Sequence, residues 1–217
     1  MIPSVRHREN DQQRIHCLTV AVAVLVAYIQ ALGADYLPID DGIMLQAVQS
    51  GKISVPDLFL SGGREYYRPL ATLSLLGDYL IFGGRVAGYH LGNILLHLAD
   101  SLLVYALASH FFRREESGAF PAFLAALLFA LHPVNSETVV WISCRPDLLC
   151  CLFCLLSLHI LFRLERGSGP GAYIGMGLFF LCSLLAKEAS LFILPAAAVR
   201  LFIARKSICA ETASKAL

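Results

Sequence analysis

Apolar residues in this chain run in long blocks separated by short polar stretches. They show neither the strict alternation of a half-buried strand nor the narrow stripe of a surface helix. The blocks fall at residues 15–33, 88–112, 119–131, 148–164, 171–186 and 191–204. A hydrocarbon layer about 30 Å thick needs roughly 20 apolar residues per helix. The pattern therefore predicts an all-α integral membrane protein with about six transmembrane helices. Two blocks, 119–131 and 191–204, are short for a full crossing, with core helices or re-entrant segments as the alternatives. The first reaches full length only by running on into the polar stretch that follows it. One further stretch, "RPLATLSLLGDYLIFGG" at 68–84, carries apolar residues over most of one helical face and a proline near its start. It predicts a helix lying in the membrane interface.

Composition agrees with a membrane chain: 57% hydrophobic residues, 15% charged and a mean hydropathy of +0.66 over 217 residues exclude an ordinary soluble domain. No nucleic-acid partner is expected. Charge then sets orientation, because Lys and Arg near span ends stay cytoplasmic. With the N-terminus inside, eleven of the 17 basic residues fall on the cytoplasmic side, and the opposite side holds Lys52, Arg64, Arg68, Arg85, Arg145 and Lys187. This predicts both ends inside: a cytoplasmic N-terminus at 1–14, a membrane domain at 15–204 and a cytoplasmic tail at 205–217. The outer loops are then 35–87 and 132–147, on the periplasmic face of a bacterial inner membrane or an equivalent lumenal face. The apolar core of the first block is longer than the roughly 7–15 residues of a signal sequence, so it reads as a retained anchor. The seven cysteines lie mostly in the blocks and predict no disulfide framework. "CLFC" at 151–154 reads as packing.

Chemistry-bearing residues gather in the expected outer segments. Asp40 and Asp41 follow the first block, "GGREYYRPL" supplies Arg68, "HPVNSETVVWISCRPD" supplies His132, Glu137, Arg145 and Asp147, and "LLAKE" supplies Lys187 and Glu188. Acids and cations on one face suit transfer from a lipid-linked phosphate donor, whose phosphate stands at the interface. Cations neutralise the leaving phosphate and a carboxylate takes the acceptor hydroxyl's proton. Taken singly, each charge has a plainer role: span ends carry anchoring charges, Asp147 beside Pro146 suits a helix start, and Lys187 and Glu188 can pair with each other. Within the second block, His90, Asn93, His97 and Asp100 recur at spacings of three, four and three, which puts them on one helical face turned to the bundle interior. That stripe is either hydrogen-bonded packing or a pathway, and it offers no compact metal-ligand set.

The ordered series "DD" at 40–41, "YRPL" at 67–70, "GYHLGNILLH" at 88–97, "HPVNSETVVWISCRPD" at 132–147 and "LLAKE" at 184–188 is similar to the polytopic GT-C glycosyltransferases. It most resembles the transmembrane O-mannosyltransferase group that often carries tetratricopeptide repeats, over nearly the whole chain. The resemblance implies an inverting transfer of a sugar, mannose in that group, from a polyprenyl-phosphate donor to an acceptor hydroxyl on a protein or glycan at the outer face, with no cofactor. It carries the paired acids over as the catalytic Asp40 and Asp41. Charge assigns Arg68, Arg145 and Lys187 to the donor phosphate, while His132, Glu137, Glu188, His90, Asn93 and His97 are substrate-positioning candidates. Complete enzymes of this kind have further membrane helices and a repeat array, whereas no repeat of about 34 residues occurs here. The chain therefore reads as the N-terminal part of such an enzyme, with a second chain supplying the missing helices as one option. The alternative function is a non-catalytic subunit, or a small transport bundle using the His90 stripe.

Overall fold

The computed structural model describes residues 3–37, 40–50, 55–60, 67–112, 119–164, 170–192 and 195. Among these residues the chain is mostly helical and forms no strand. Its helices are α1 (Pro3–Tyr28), α2 (Asp40–Gln49), α3 (Val55–Phe59), α4 (Pro69–Phe82), α5 (Val86–Phe111), α6 (Phe120–Leu131), α7 (Val134–Val140), α8 (Arg145–Leu164) and α9 (Pro170–Ala186). Short 3₁₀ turns at Ile29–Gly33, Ile142–Cys144 and Glu188–Phe192 finish or join them.

Three helical stretches are long and apolar enough to cross a membrane: Asp11–Gly33, Val86–Phe111 and Ile142–Phe162. A fourth qualifies only if α6 and α7 count as one span, bent by 60° at the break between them. The break contains Pro133, whose ring and missing N–H disrupt a continuous helix. The block at 119–131 thus does run on into the polar stretch, but as a broken helix. Gly171–Ala186 and Pro69–Phe82 are shorter apolar helices, and nearly all of the block expected at 191–204 lies outside the described residues. Among the described residues three spans, or four with the bent pair, meet the length and composition of a crossing, and most of the sixth predicted block lies outside those residues.

The stretch at 132–147, expected as a loop, is folded. It forms α7, a 3₁₀ turn and the first residues of α8. Helix α8 begins at Arg145 instead of after Asp147, with Pro146 in a first turn where a missing N–H costs no helical bond. The long segment before α5 is likewise built of helices α2, α3 and α4. At its end Gly83 and Gly84 take left-handed φ angles of 64° and 82°, a conformation that disfavours any residue with a Cβ. They reverse the chain between α4 and α5.

Helix α5 is central, packed against α1, α4, α6 and α8. Ala122, Ala126 and Ala130, four residues apart, are fully buried along one face of α6. Small residues there let α6 approach Val20, Val24 and Tyr28 of α1 and Ile94 of α5 closely. The outward side chains of α1 and of the turn that follows it, including Leu18, Val22, Val26 and Ile29, are exposed and apolar, as a lipid-facing surface requires. The two ends of the bundle differ. At one, His16 of α1 stacks on Phe123 of α6 with centroids 4.4 Å apart, and Phe111 of α5 meets Phe162 of α8. At the other, Arg68 before α4 and Asp147 in the first turn of α8 pair with Glu188 and Lys187 just past α9, and Asp41 of α2 bonds the turn before α8.

Candidate active site

The adjacent acids separate on folding. Asp40 opens α2 and is exposed, whereas Asp41 is 1% exposed. The Asp41 carboxylate accepts the Leu37 N–H on Oδ2 at 3.0 Å and the Ser143 N–H on Oδ1 at 2.7 Å. Two backbone donors fix the position of the carboxylate. They also clamp the acid pair's segment against the turn at Ile142–Cys144, 102 positions away in the chain.

The next residues of that turn lead to the cations. Lys187 Nζ meets Asp147 Oδ1 at 2.6 Å, joining the end of α9 to the first turn of α8. Arg68, the residue before α4, meets Glu188 Oε1 at 2.8 Å. Lys187 and Glu188 therefore pair outward, with different helices, and not with each other. The hydrogen bond from Arg68 holds the Glu188 carboxyl below the usual glutamate range. The sign follows: this contact is present above the ordinary glutamate pKa and is lost as pH falls through the lowered one.

Arg145, expected to face a donor phosphate, is instead internal at 1% exposure. Its Nη2 meets Asp78 Oδ2 at 2.6 Å and the Tyr89 carbonyl at 2.8 Å, its Nη1 meets Ser74 Oγ at 2.9 Å, and its Nε donates to Asn93 Oδ1. The reason is that α8 starts at Arg145, so the side chain enters the junction of α4, α5 and α8. Its guanidinium fork is consumed by α4 and α5. Burial pushes the Asp78 carboxyl upward, and the Arg145 charge opposes that shift.

This ion pair lies directly over Gly92 of α5. A Cβ at that position would stand 2.5 Å from Asp78 Oδ2 and 2.6 Å from Arg145 Nη2. Gly92→Ala is accordingly expected to destabilise the protein by about 1–3 kcal/mol through overpacking. Gly77→Ala on α4, where a Cβ meets nothing within 4 Å, is expected to stabilise it by about 0.5–1 kcal/mol. Thermal unfolding of both variants in detergent measures the difference, and shifts of the same sign in both would refute the account.

The polar stripe of α5 is buried as its spacing predicts: His90, Asn93, His97 and Asp100 are all at most 1% exposed. Asn93 donates to the Val139 and Trp141 carbonyls at 3.1 and 2.8 Å, and a His97 ring nitrogen lies 3.0 Å from the Ala130 carbonyl. These contacts hold the broken α6–α7 region and the Trp141 bend against α5. His90 is buried with neither ring nitrogen hydrogen-bonded. His132 and Glu137 are exposed, and His132 Nδ1 accepts the Val134 N–H at 3.2 Å at the start of α7. Among the described residues no group of three or more His, Cys, Asp or Glu is placed to hold a metal ion.

Geometry thus holds Asp41 against the turn that leads to Asp147 and Lys187, pairs Arg68 with Glu188 just past α9, leaves Glu137 exposed on α7, and withdraws Arg145. Asp78 and Ser74 complete the internal cluster. Their one signal in the sequence is a four-residue spacing that places both on the same face of α4.

Comparison with known proteins follows the same segments. Residues 69–216 match the family described as dolichyl-phosphate-mannose-protein mannosyltransferase. Protein O-mannosyl-transferase TMTC2 of Homo sapiens is 33% identical over 195 residues, covering 81% of this chain and 22% of its own length. Protein O-mannosyl-transferase F38B6.6 of Caenorhabditis elegans is 28% identical over 210 residues, covering 90% of this chain and 29% of its own. Protein O-mannosyl-transferase TMTC4 of Homo sapiens is 43% identical over 101 residues, 42% of this chain and 14% of its own. The chain therefore spans less than a third of the length of these relatives. No solved structure matches it significantly. With a family match from α4 onward and relatives that extend it toward the N-terminus, the chain belongs to the dolichyl-phosphate-mannose-protein mannosyltransferase family.

Proposed function

We propose that this chain is part of a membrane mannosyltransferase that moves mannose from a polyprenyl-phosphate donor to an acceptor hydroxyl at the outer face. In the proposed step the acceptor oxygen attacks the anomeric carbon and the bond from that carbon to the phosphate oxygen breaks. The phosphate leaves with the electron pair, and the acceptor proton passes to a carboxylate. Asp40 is the base in this reading, because it is exposed beside a clamped neighbour. Asp41 is the positioning residue. Lys187 and Arg68 receive the phosphate.

The observation that carries the proposal is the bond from Ser143 N–H to Asp41, which holds the acid pair beside the turn leading to Asp147 and Lys187. The relatives' names speak of protein O-mannosyl transfer, and the family's description names a lipid-phosphate mannose. A topology with both ends inside and about six spans is part of the same proposal. It is supported by the meeting of Asp41, Arg68, Asp147 and Lys187 at one end of the helices.

The test is binding of a photoactivatable polyprenyl-phosphate-mannose by membranes that express this chain, followed by transfer to an acceptor peptide. Donor labelling is expected in the unaltered chain. In Lys187→Gln it should be weakened about tenfold, the scale of one lost charge-assisted hydrogen bond. Labelling without transfer would mean that catalysis needs helices from a second chain. Absence of labelling in the unaltered chain would refute the transferase reading.

A further inference from the structure

One side chain of α5 ties together the turn that holds the acid pair. Asn93 is fully buried, and its carboxamide is engaged at both ends. Nδ2 donates to the Val139 carbonyl at 3.1 Å and to the Trp141 carbonyl at 2.8 Å, while Oδ1 accepts from Arg145 Nε. These partners bracket the 3₁₀ turn Ile142–Cys144: Val139 and Trp141 precede it and Arg145 follows it. Inside the bracket stands Ser143, whose N–H reaches Asp41 Oδ1 at 2.7 Å. We propose that Asn93 is a positioning residue for the sugar-transfer step: it sets the turn from which the Ser143 N–H holds Asp41, and through Asp41 it places the neighbouring Asp40 carboxylate. The inference rests on the transferase reading for its effect on transfer, and on the hydrogen bonds alone for its effect on the turn.

Three observations support it. The first is hydrogen-bonding capacity. A carboxamide carries two N–H donors and a carbonyl acceptor, and Asn93 directs its donors to one side of the turn and its acceptor to the other. A hydroxyl has a single donor and an ionised carboxylate has none, so neither bridges the turn in this way. The second is the Trp141 carbonyl. Helix α7 ends at Trp141 in an extended conformation, and its oxygen takes two bonds, one from Asn93 and one from the Cys144 N–H at 3.2 Å. The Cys144 bond closes the 3₁₀ turn, so the carbonyl that Asn93 orients also shapes the backbone around Ser143.

The third is burial. Asn93 and Ile142 are 0% exposed and Asp41 is 1% exposed, so the groups that link them lie in a close-packed interior that transmits displacement. From Trp141, the path to Asp41 is two residues of chain and one hydrogen bond. At 0% exposure Asn93 reaches no bound substrate directly, and its influence on the site has to pass through this turn. A shift of about 1 Å in a catalytic group is enough to cost roughly a hundredfold in rate.

The experiment uses the full chain in detergent and the Asn93→Asp variant, which keeps the side chain's size and the oxygen facing Arg145 but, as an ion, has no donor for the two carbonyls. Amide hydrogen exchange of residues 141–145, read by mass spectrometry, reports the turn. Labelling by the photoactivatable polyprenyl-phosphate-mannose and transfer to an acceptor peptide, both per folded protein, report the site. Exchange at the turn should quicken about tenfold, the scale of one lost hydrogen bond. Transfer should fall about a hundredfold while donor labelling stays within about twofold. Asn93→Ser, with one donor and no added bulk, is the second variant and should show the same pattern. Ser101→Ala, further along α5, removes a hydroxyl that bonds the His97 carbonyl within the helix and should leave all three readings unchanged. An Asn93→Asp/Asp41→Asn double variant should transfer no less than Asp41→Asn alone, because the two residues act in series. Unchanged exchange at the turn, an equal fall in labelling and transfer, or losses that multiply in the double variant would each overturn the inference. Should the unaltered chain label donor without transferring, the exchange result decides it alone. Quickened exchange beside an unaltered chain that takes no donor label would sink the transferase reading, and the positioning role with it, and leave the hold of Asn93 on the turn standing.

Discussion

Asp40→Asn is expected to reduce sugar transfer by about 10²- to 10⁴-fold, the usual contribution of a positioned general base. Insertion and thermal stability should stay unchanged, because Asp40 is exposed at the first turn of α2. Asp41→Asn is expected to behave differently. Its carboxylate accepts two backbone N–H groups while almost wholly buried. An asparagine keeps one acceptor oxygen and turns its amide donors toward the second N–H, leaving that N–H unsatisfied at a cost of about 1–3 kcal/mol. Activity and melting temperature should therefore fall together in Asp41→Asn and separate in Asp40→Asn. Transfer assays beside thermal unfolding decide the matter. A stable Asp41→Asn protein without activity, next to an active Asp40→Asn protein, would reverse the assignment.

Asp78→Ala is expected to be among the most destabilising single changes in the chain, at about 3–5 kcal/mol, because it leaves the buried Arg145 charge without its counter-ion. The pair is not thereby a large net source of stability. Burial pushes the Asp78 carboxyl upward and the Arg145 charge opposes that shift, in keeping with the desolvation cost that offsets the attraction of a buried pair. Replacing both partners, as Asp78→Leu with Arg145→Met, should recover much of the loss, since no unpaired charge then remains. The recovery will be partial, because Ser74, Asn93 and the Tyr89 carbonyl lose the same partner. Detergent unfolding of the two variants tests this, and a double variant weaker than Asp78→Ala would show the pair to be strongly stabilising in itself.

Hydropathy makes α1, α5 and α8 legible because each is long and apolar. The stripe of His90, Asn93, His97 and Asp100 is equally legible, since a helical period fixes which residues share a face. The stretch at 132–147 is not, because its polar residues read as loop while in fact Asn93 and Asp41 satisfy the backbone of its turns. Arg145 illustrates the limit of charge reading: a guanidinium near a span end suits a phosphate, and only tertiary contacts with Asp78 and Ser74 reveal that its donors are spent. The same holds for the acids. Asp40 and Asp41 are equivalent in the sequence, and the fold separates them by directing one inward to two N–H groups. The family, by contrast, is legible in the sequence, because short motifs in a fixed order carry it.

The pairing of Lys187 with Asp147 and of Arg68 with Glu188 has a consequence for how a phosphate would arrive. Neither cation waits as a bare charge. On the proposed reading an incoming donor phosphate must exchange with a resident carboxylate, so binding swaps one anion for another and leaves net charge balance at the cations nearly constant. Such an exchange lowers the desolvation cost of entry and supplies a return path: once the sugar has gone, Asp147 and Glu188 compete for their cations again and help expel the spent lipid phosphate.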